Sequence, residues 1–328
     1  MKLLTGFRLV YVLLLICCLS GCAEVLDHRT LKLAHGLETT HPVHIAMEFM
    51  GEKLKEKSDG KLQLEIYPGE QLGSERQLLE SLQIGSIGMT KVSSAVLEQF
   101  DPNIRVLGLP YIFKGRDHHF RVLDGEVGQE LLLGAQKYWL RGLCYYDAGS
   151  RSFYSRNRRI DKPEDLAGMR IRVQQSQTAM AMIQALGAKP EPIAWGELYT
   201  SLQQGRVDGA ENNAPSFLSS RHYEVCKYYS LNEHTAVPDV LIMSTHVWNR
   251  LSEQEQTWLM EAVNESLAFQ RELWAEKEAE ALKTVEAAGV EIIRPDKQPF
   301  MDKVAGTFED YRDEPVMYDL IKRIQAVN

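Results

Sequence analysis

Cysteine is scarce in this chain, with five in 328 residues. Cys17, Cys18 and Cys22 sit near the start, and only Cys144 and Cys226 lie beyond. Two cysteines make no disulfide framework, and the sequence leaves them bridged or free. Past residue 21 no apolar run is long enough to cross a membrane. Positive charge is in deficit: 37 Lys and Arg against 45 Asp and Glu give a formal net charge of −8, which argues against nucleic acid as a partner. There is no Gly-rich phosphate loop and no GxSxG elbow, and no motif assembles a nucleophile, a base and an orienting group. His41 with His44, and the pair His118–His119, stand outside any wider Cys or carboxylate pattern at ligand spacing. They read as solvent-facing or capping residues, and no metal is expected. Glu278 and Glu280 fall in a long polar helix and read as its solvated face. What remains is a binding protein, not an enzyme, with no catalytic residues and no cofactor.

What is present begins with MKLLTGFRLVYVLLLICCLSGC. Lys2 and Arg8 make a positive start, and Leu9 to Leu19 form an apolar stretch too short to span a bilayer comfortably, as in an export signal over residues 1–21. The stretch ends in Leu19-Ser20-Gly21-Cys22, which resembles the lipobox of bacterial lipoproteins. Cys22 is therefore the expected lipidation site, tethering the protein to a membrane without making it integral. Loss of Lys2 and Arg8 with the signal takes the net charge from −8 to −10. About 300 remaining residues suit two lobes better than one core.

Along the chain, LKLAHG and KLQLEIYP alternate as strands, and the segment between them has helical spacing and ends at a glycine. This βαβ beginning points to an α/β fold with largely parallel sheets. SLQIGSIGMTKVS and SLQQGRVDGAENN, 120 residues apart, share the order helix end, glycine cap, short buried strand, as if each of two similar lobes supplied one copy. From Ser252 to about Ala288 the chain lacks Pro and Gly, and Ser252 with Glu255 forms a capping box. A helix of that length, roughly 50 Å at 1.5 Å per residue, outruns one small lobe and could run along both.

Residues 148–173 hold six arginines. Arg156, Arg158 and Arg159 lie in a polar segment before Pro163 and read as surface. Arg172 differs. In GMRIRVQ, Met169, Ile171 and Val173 point one way and Arg170 and Arg172 the other. Arg172 lies near the C-terminal end of the strand, where open α/β sheets present groups to a ligand cleft. A guanidinium grips a planar carboxylate with two parallel hydrogen bonds, and the helix that follows opens with amides that also favour an anion.

Five motifs in order, YPGEQLGSERQLLESLQIG, LGLPYIFKGRDHHFRVLDGEVG, PEDLAGMRIRV, PIAWGELYTSLQQGRVDGAENN and RHYEVCKYYSLNEHT, resemble the solute receptors of TRAP transporters, sodium-driven uptake systems for organic acids. The resemblance runs from about Leu31 to near the C-terminus. It implies a two-lobed, periplasmic-binding-protein-like α/β fold with a long helix spanning both lobes. Residues 22–149 with about 238–275 would form one lobe, and 150–237 with about 276–328 the other. It also implies membrane permease subunits as partners and a periplasmic, here lipid-anchored, location. Arg172 matches the arginine that pairs with the ligand carboxylate, Asn212 an asparagine that bonds the same ligand, and Arg151 a second arginine that reaches the carboxylate. Trp195 matches an aromatic pocket position, and Glu75 and Ser93 match the opposite wall, with Lys91 and His35 beside it by alternation. For Glu211, Asn213 and His234 structural roles fit as well as contact.

Glu75, Ser93, Lys91, His35, Asn212 and Asn213 offer mixed donors and acceptors suited to several hydroxyls. A carboxylate in the wall would repel a second carboxylate in the ligand. The segments TKVS, YDAGSRSFY, DGAENN and EHTAVPDVL resemble the branch of the family that binds hexuronates such as glucuronate and galacturonate. Aldonates, sialic acid and C4-dicarboxylates stand behind that ligand, and a ligand-presenting sensor lipoprotein stands behind transport.

Overall fold

The computed structural model describes residues 28–327, so the export signal and Cys22 lie outside the described residues. Two sheets carry the fold. The first is built from β1 (Arg29–Ala34), α1 (Pro42–Lys57), β2 (Leu62–Tyr67), α2 (Glu75–Gln83), β3 (Met89–Ser93), α3 (Ser94–Leu97), α4 (Arg116–Asp124), α5 (Glu126–Gly134) and β4 (Leu140–Tyr146). The second takes β5 (Arg151–Ser155), β6 (Arg170–Val173), α6 (Gln177–Ala185), β7 (Lys189–Pro192), α7 (Leu198–Gln203), β8 (Gly209–Asn212), α8 (Ala214–Ser219) and β9 (Tyr228–Thr235). The chain then returns to the first sheet with β10 (Asp239–Ser244), turns through α9 (Thr245–Trp248), and runs along α10 (Glu253–Ala287). It ends with β11 (Glu291–Ile293), α11 (Gln298–Val304) and α12 (Pro315–Ala326). Strand orders are β2-β1-β3-β10-β4 and β11-β9-β5-β8-β6-β7.

The opening βαβ unit forms as the alternation predicts, with β1 and β2 paired in parallel from Arg29↔Leu62 to Ala34↔Tyr67. The sheets are mixed, however, and not largely parallel. β10 runs antiparallel to both β3 and β4, and β5 antiparallel to both β8 and β9. Both strands enter their sheet straight from the other lobe, without the crossover helix that a parallel neighbour requires.

Period-two alternation buries both faces of the first sheet. Ala34, Val92, Val240 and Ile242 pack with Leu78, Leu79 and Leu82 of α2. Leu31, Leu33, Met89, Leu241 and Met243 pack on the other side with Val43, Met47, Met50 and Leu54 of α1. In the second sheet Tyr154, Ala210 and Tyr229 face Phe217, while Phe153, Ile171 and Val173 face Met182 and Ile183 of α6.

The long helix joins the two. α10 starts with the Ser252/Glu255 capping box and spans about 50 Å. Its Leu259, Ala262, Val263 and Trp274 belong to the first lobe's core, and its Ala281 and Val285 to the second's. Midway, the fully buried Gln270 accepts from the Asp147 amide at 2.9 Å and donates to the Asp147 carbonyl at 2.8 Å. The helix thus holds the backbone of the crossing segment where β4 gives way to β5.

The repeat is structural. Gly85 and Gly205 end α2 and α7 at φ of 72° and 71°, a left-handed conformation that glycine adopts without strain. The amides of Ser86 and Arg206 return to the carbonyls of Ser81 and Ser201 at 3.0 and 2.9 Å. A strand follows each turn, and Ser93 and Asn213, 120 residues apart in the sequence, each cap the next helix through the side chain.

Several expectations need correction. The C-terminal helix does not belong to the second lobe: Met317, Leu320, Ile321 and Ile324 of α12 insert among Leu107, Val122 and Leu131 of the first. Its apolar stripe, at spacings of three and four residues, packs there. His44, His118 and His119 are buried and not solvent-facing, whereas His41, also buried, is a capping residue as one of the two readings had it. His41 caps α1 by accepting from Val43, and His118 accepts from the Lys114 amide and bonds the Ile324 carbonyl. Glu278 is half-buried beside Asp147 and Trp274, and burial raises its carboxyl above the ordinary range. Cys144 and Cys226 are free and buried. Among the described residues no helix is long and apolar enough to cross a membrane. Leu320→Ala should lower the unfolding free energy by roughly 2–5 kcal/mol, as for a buried leucine that leaves a cavity, measured by urea denaturation; a loss below 1 kcal/mol would mean that α12 is not part of the first core.

Candidate functional site

The C-terminal ends of the repeat strands face one another across the cleft, with a cavity between them. Its volume, about 60 Å³, is several times the roughly 10–15 Å³ that one water needs. Arg172, Asn212, Arg151, Glu75, Ser93, Trp195 and Lys91 all line it. His35 does not. It is fully buried, with Nδ1 accepting from the Leu37 amide and Nε2 bonded to His44 Nδ1 at 3.0 Å. The strand alternation that suggested His35 breaks at Ala34, where β1 ends.

Arg172 lies next to the C-terminal end of β6 and is only 2% exposed. Its Nε donates to the Ile193 carbonyl at 2.9 Å, and its guanidinium carbon lies 5.8 Å from the centre of the Trp195 ring. Nη1 is buried and has no hydrogen-bond partner among the described residues. Among the described residues no carboxylate is within ion-pairing distance. Burial accordingly works against its charge and lowers its proton affinity from the ordinary value. A buried charge without a partner costs several kcal/mol, so this guanidinium is set up to receive an anion.

Arg151 also lines the cavity, but its guanidinium is paired within its own lobe. Its Nη2 donates to Glu211 Oε1 and to the Glu211 carbonyl, both at 2.8 Å, and its Nη1 donates to Asn212 Oδ1 at 2.8 Å. Burial would raise the Glu211 carboxyl, but Arg151 outweighs it and, with His234 Nε2 at 3.5 Å, holds it at about 2. The Arg151 charge is therefore already matched. Its contribution is to fix Asn212, whose Oδ1 also accepts from the Asn213 amide at 2.9 Å. With that oxygen doubly used, the Asn212 amide nitrogen is the group left for the cavity.

The opposite wall is a charged network. Lys91 Nζ lies 3.1 Å from Asp239 Oδ1 and 3.3 Å from Glu75 Oε1. Burial disfavours its charge, but Asp239 and Glu75 more than offset this and keep the ammonium protonated. Glu75 Oε1 also accepts from the Ser93 amide at 3.2 Å. The two carboxylates leave this wall net negative, against a net positive Arg172–Arg151–Glu211 wall. Glu70 adds a third acceptor and crosses the cleft to accept from the Gly196 amide at 3.3 Å. Asp239, Glu70, Gln174 and Ser216 also line the cavity, and the sequence reading did not single them out. Asp239 alone left a signal, since it opens the apolar run of β10, whose residues Asp239 to Met243 pair with β3.

The amides that open α6 were expected to attract the ligand anion. They are taken by Glu98, from the other lobe: Oε1 accepts from the amides of Gln177 and, at 3.3 Å, Thr178. The remaining arginines of the stretch are surface. Arg158 donates to the Asp165 and Ala167 carbonyls at 3.2 Å, and Arg159 pairs with Asp161 and Glu291.

A two-sheet α/β protein spanned by one helix, with a buried guanidinium in the cleft that no described carboxylate pairs, has the architecture of a solute receptor that holds a small anion between two lobes. Residues 33–314 match the bacterial extracellular solute-binding protein family 7, and the chain belongs to that family. YiiZ of Salmonella typhimurium is 38% identical over 90% of this chain and 91% of its own length. Among solved structures, a TRAP periplasmic solute-binding protein from a Bradyrhizobium species, in complex with α/β-D-galacturonate, superposes with a TM-score of 0.88 at 41% identity, covering 90% of this chain and 99% of that one. Another, from Pseudomonas putida with bound D-glucuronate, gives 0.87 at 36%, covering 92% and 98%.

Replacing Arg172 by Lys, which loses the bidentate fork, should weaken binding of an acidic ligand by roughly 2–5 kcal/mol in calorimetric titration. Arg158→Ala should leave affinity within about twofold, because its guanidinium is spent on backbone carbonyls outside the cavity. The reverse order would remove Arg172 from the anchor role.

Proposed function

We propose that this protein is the extracytoplasmic receptor of a TRAP transporter, and that it closes around one sugar monocarboxylate, a hexuronate such as glucuronate or galacturonate, for delivery to a membrane permease. The observation that carries the reading is the unpartnered Nη1 of buried Arg172 in the cavity between the lobes. The ligand carboxylate pairs with Arg172. The Asn212 amide, held by Arg151, bonds the same end. Glu75, Asp239 and Glu70 accept from sugar hydroxyls, Ser93 either accepts or donates, and Trp195 covers an apolar face of the ring.

Charge supports the choice of a monocarboxylate. A ligand with carboxylates at both ends would place the second against Glu75 and Asp239, where like charges repel. The solved relatives that hold galacturonate and glucuronate support the uronate in particular. Aldonates, which also carry one carboxylate and several hydroxyls, meet the same chemistry and stand second.

Closure is a hinge motion between open and closed states, with the ligand favouring the closed one because it bonds both lobes. The hinge passes through the two crossings, Asp147–Ser150 and Ala236–Pro238, and the middle of α10 near Gln270. Cys22 carries the lipid that keeps the receptor at the membrane, a reading that rests on the Leu19-Ser20-Gly21-Cys22 sequence.

A thermal-shift screen of the purified protein against D-glucuronate, D-galacturonate, gluconate, sialic acid, succinate and malate tests the proposal. A ligand at 100 times its dissociation constant adds about 2.7 kcal/mol of stability, so a uronate should raise the midpoint clearly and succinate should not. A shift with the dicarboxylates alone would overturn the ligand assignment.

A further inference from the structure

Glu98 follows α3, on the first lobe, and is 7% exposed. Among the described residues it has no cationic partner, an unusual condition for a buried carboxylate, which is normally paired. It does not line the ligand cavity. What it touches is the start of α6 on the second lobe, through the Gln177 and Thr178 amides. Those amides are the unsatisfied donors of a helix of nine residues, the end at which a negative charge is favoured.

The contact is part of a seam. Three first-lobe side chains engage the segment that joins β6 to α6: Ser93 Oγ donates to Gln174 Oε1 at 3.2 Å, Gln99 Nε2 donates to the Gln175 carbonyl at 2.5 Å, and Glu98 caps the helix. That segment begins two residues after Arg172. On the far side of the cavity, His41 Nε2 meets Ser216 Oγ at 3.1 Å. Opening the cleft would leave the Glu98 carboxylate to water and the α6 amides without their acceptor.

We infer that Glu98 is a closure latch: its carboxylate seats on the N-terminus of α6 only when the lobes meet, and so stabilises the closed state without touching the ligand. Two anions then hold the second lobe in the closed receptor. The ligand's carboxylate goes to Arg172, and the protein's own goes to the helix that follows it. This division explains why the α6 amides are not part of the ligand cavity. The inference rests on the closing-receptor reading above, and it makes Glu98 a positioning residue for closure.

The test compares the unaltered protein with Glu98→Ala and Glu98→Gln. One spin label is placed on each lobe, and the distance distribution is measured in the protein alone and with D-galacturonate. Dissociation rate and thermal midpoint are measured alongside. Glu98→Ala should lower the closed fraction and speed dissociation roughly tenfold, as expected for loss of a charged helix cap, while association stays within about twofold. Glu98→Gln should fall between, because its carbonyl oxygen still accepts from the amides. The midpoint of the sugar-free protein should be unchanged, since an open latch contributes nothing. A Glu98→Ala protein with unaltered distances and dissociation rate would overturn the latch. So would equal losses of midpoint with and without sugar, which would mark Glu98 as a residue of the first lobe's own stability. Failure of galacturonate to move the distances in the unaltered protein would count against the ligand assignment instead, and the same comparison with whichever acid of the thermal-shift screen does move them would then decide the latch.

Discussion

The buried guanidinium of Arg172 is the constraint around which the cleft is arranged. It is 2% exposed and, among the described residues, has no carboxylate partner, which is unfavourable in the receptor alone, and the surroundings keep it so. Ile193 takes only Nε. Trp195 gives its π-face, which steadies a cation without neutralising it. Glu211 is the acidic group on the same strand as Asn212, and Arg151 claims both of its carboxylate oxygens. Arg151 thus neutralises the buried Glu211 and orients Asn212 at the same time.

Much of this was legible in the sequence because it depends on local patterns. The β1–α1–β2 unit follows from alternation and helical spacing, α10 from a long Pro-free, Gly-free run with a capping box, and the paired turns at Gly85 and Gly205 from the repeated SLQ-x-G. The position of Arg172 follows from alternation in GMRIRV, since Met169, Ile171 and Val173 must face the core. Surface assignment of Arg158 and Arg159 follows from their polar neighbourhood.

What was not legible depends on pairing between distant segments. No local pattern shows that Arg151 meets Glu211, that Lys91 meets Asp239 from a strand 148 residues away, or that the α6 amides meet Glu98. The same limit misplaced α12, whose apolar stripe fits either lobe until the available surface of each is known. Histidines were misjudged for a related reason. His44 and His118 look polar in sequence, yet each is buried with a partner such as a backbone group, another imidazole or a glutamate at the rim of the core. Resemblance to TRAP receptors carried the site residues further than spacing could, but it could not distinguish an arginine already paired from one awaiting its anion.

That distinction is the centre of the account, and a crystal structure of the complex with D-galacturonate tests it most directly. The account predicts the sugar carboxylate within hydrogen-bond distance of Arg172 Nη1 and the Asn212 amide nitrogen, with Arg151 still paired to Glu211 and the hydroxyls toward Glu75 and Asp239. A carboxylate seated on Lys91, or on an Arg151 that has left Glu211, with Arg172 Nη1 still uncontacted, would contradict it.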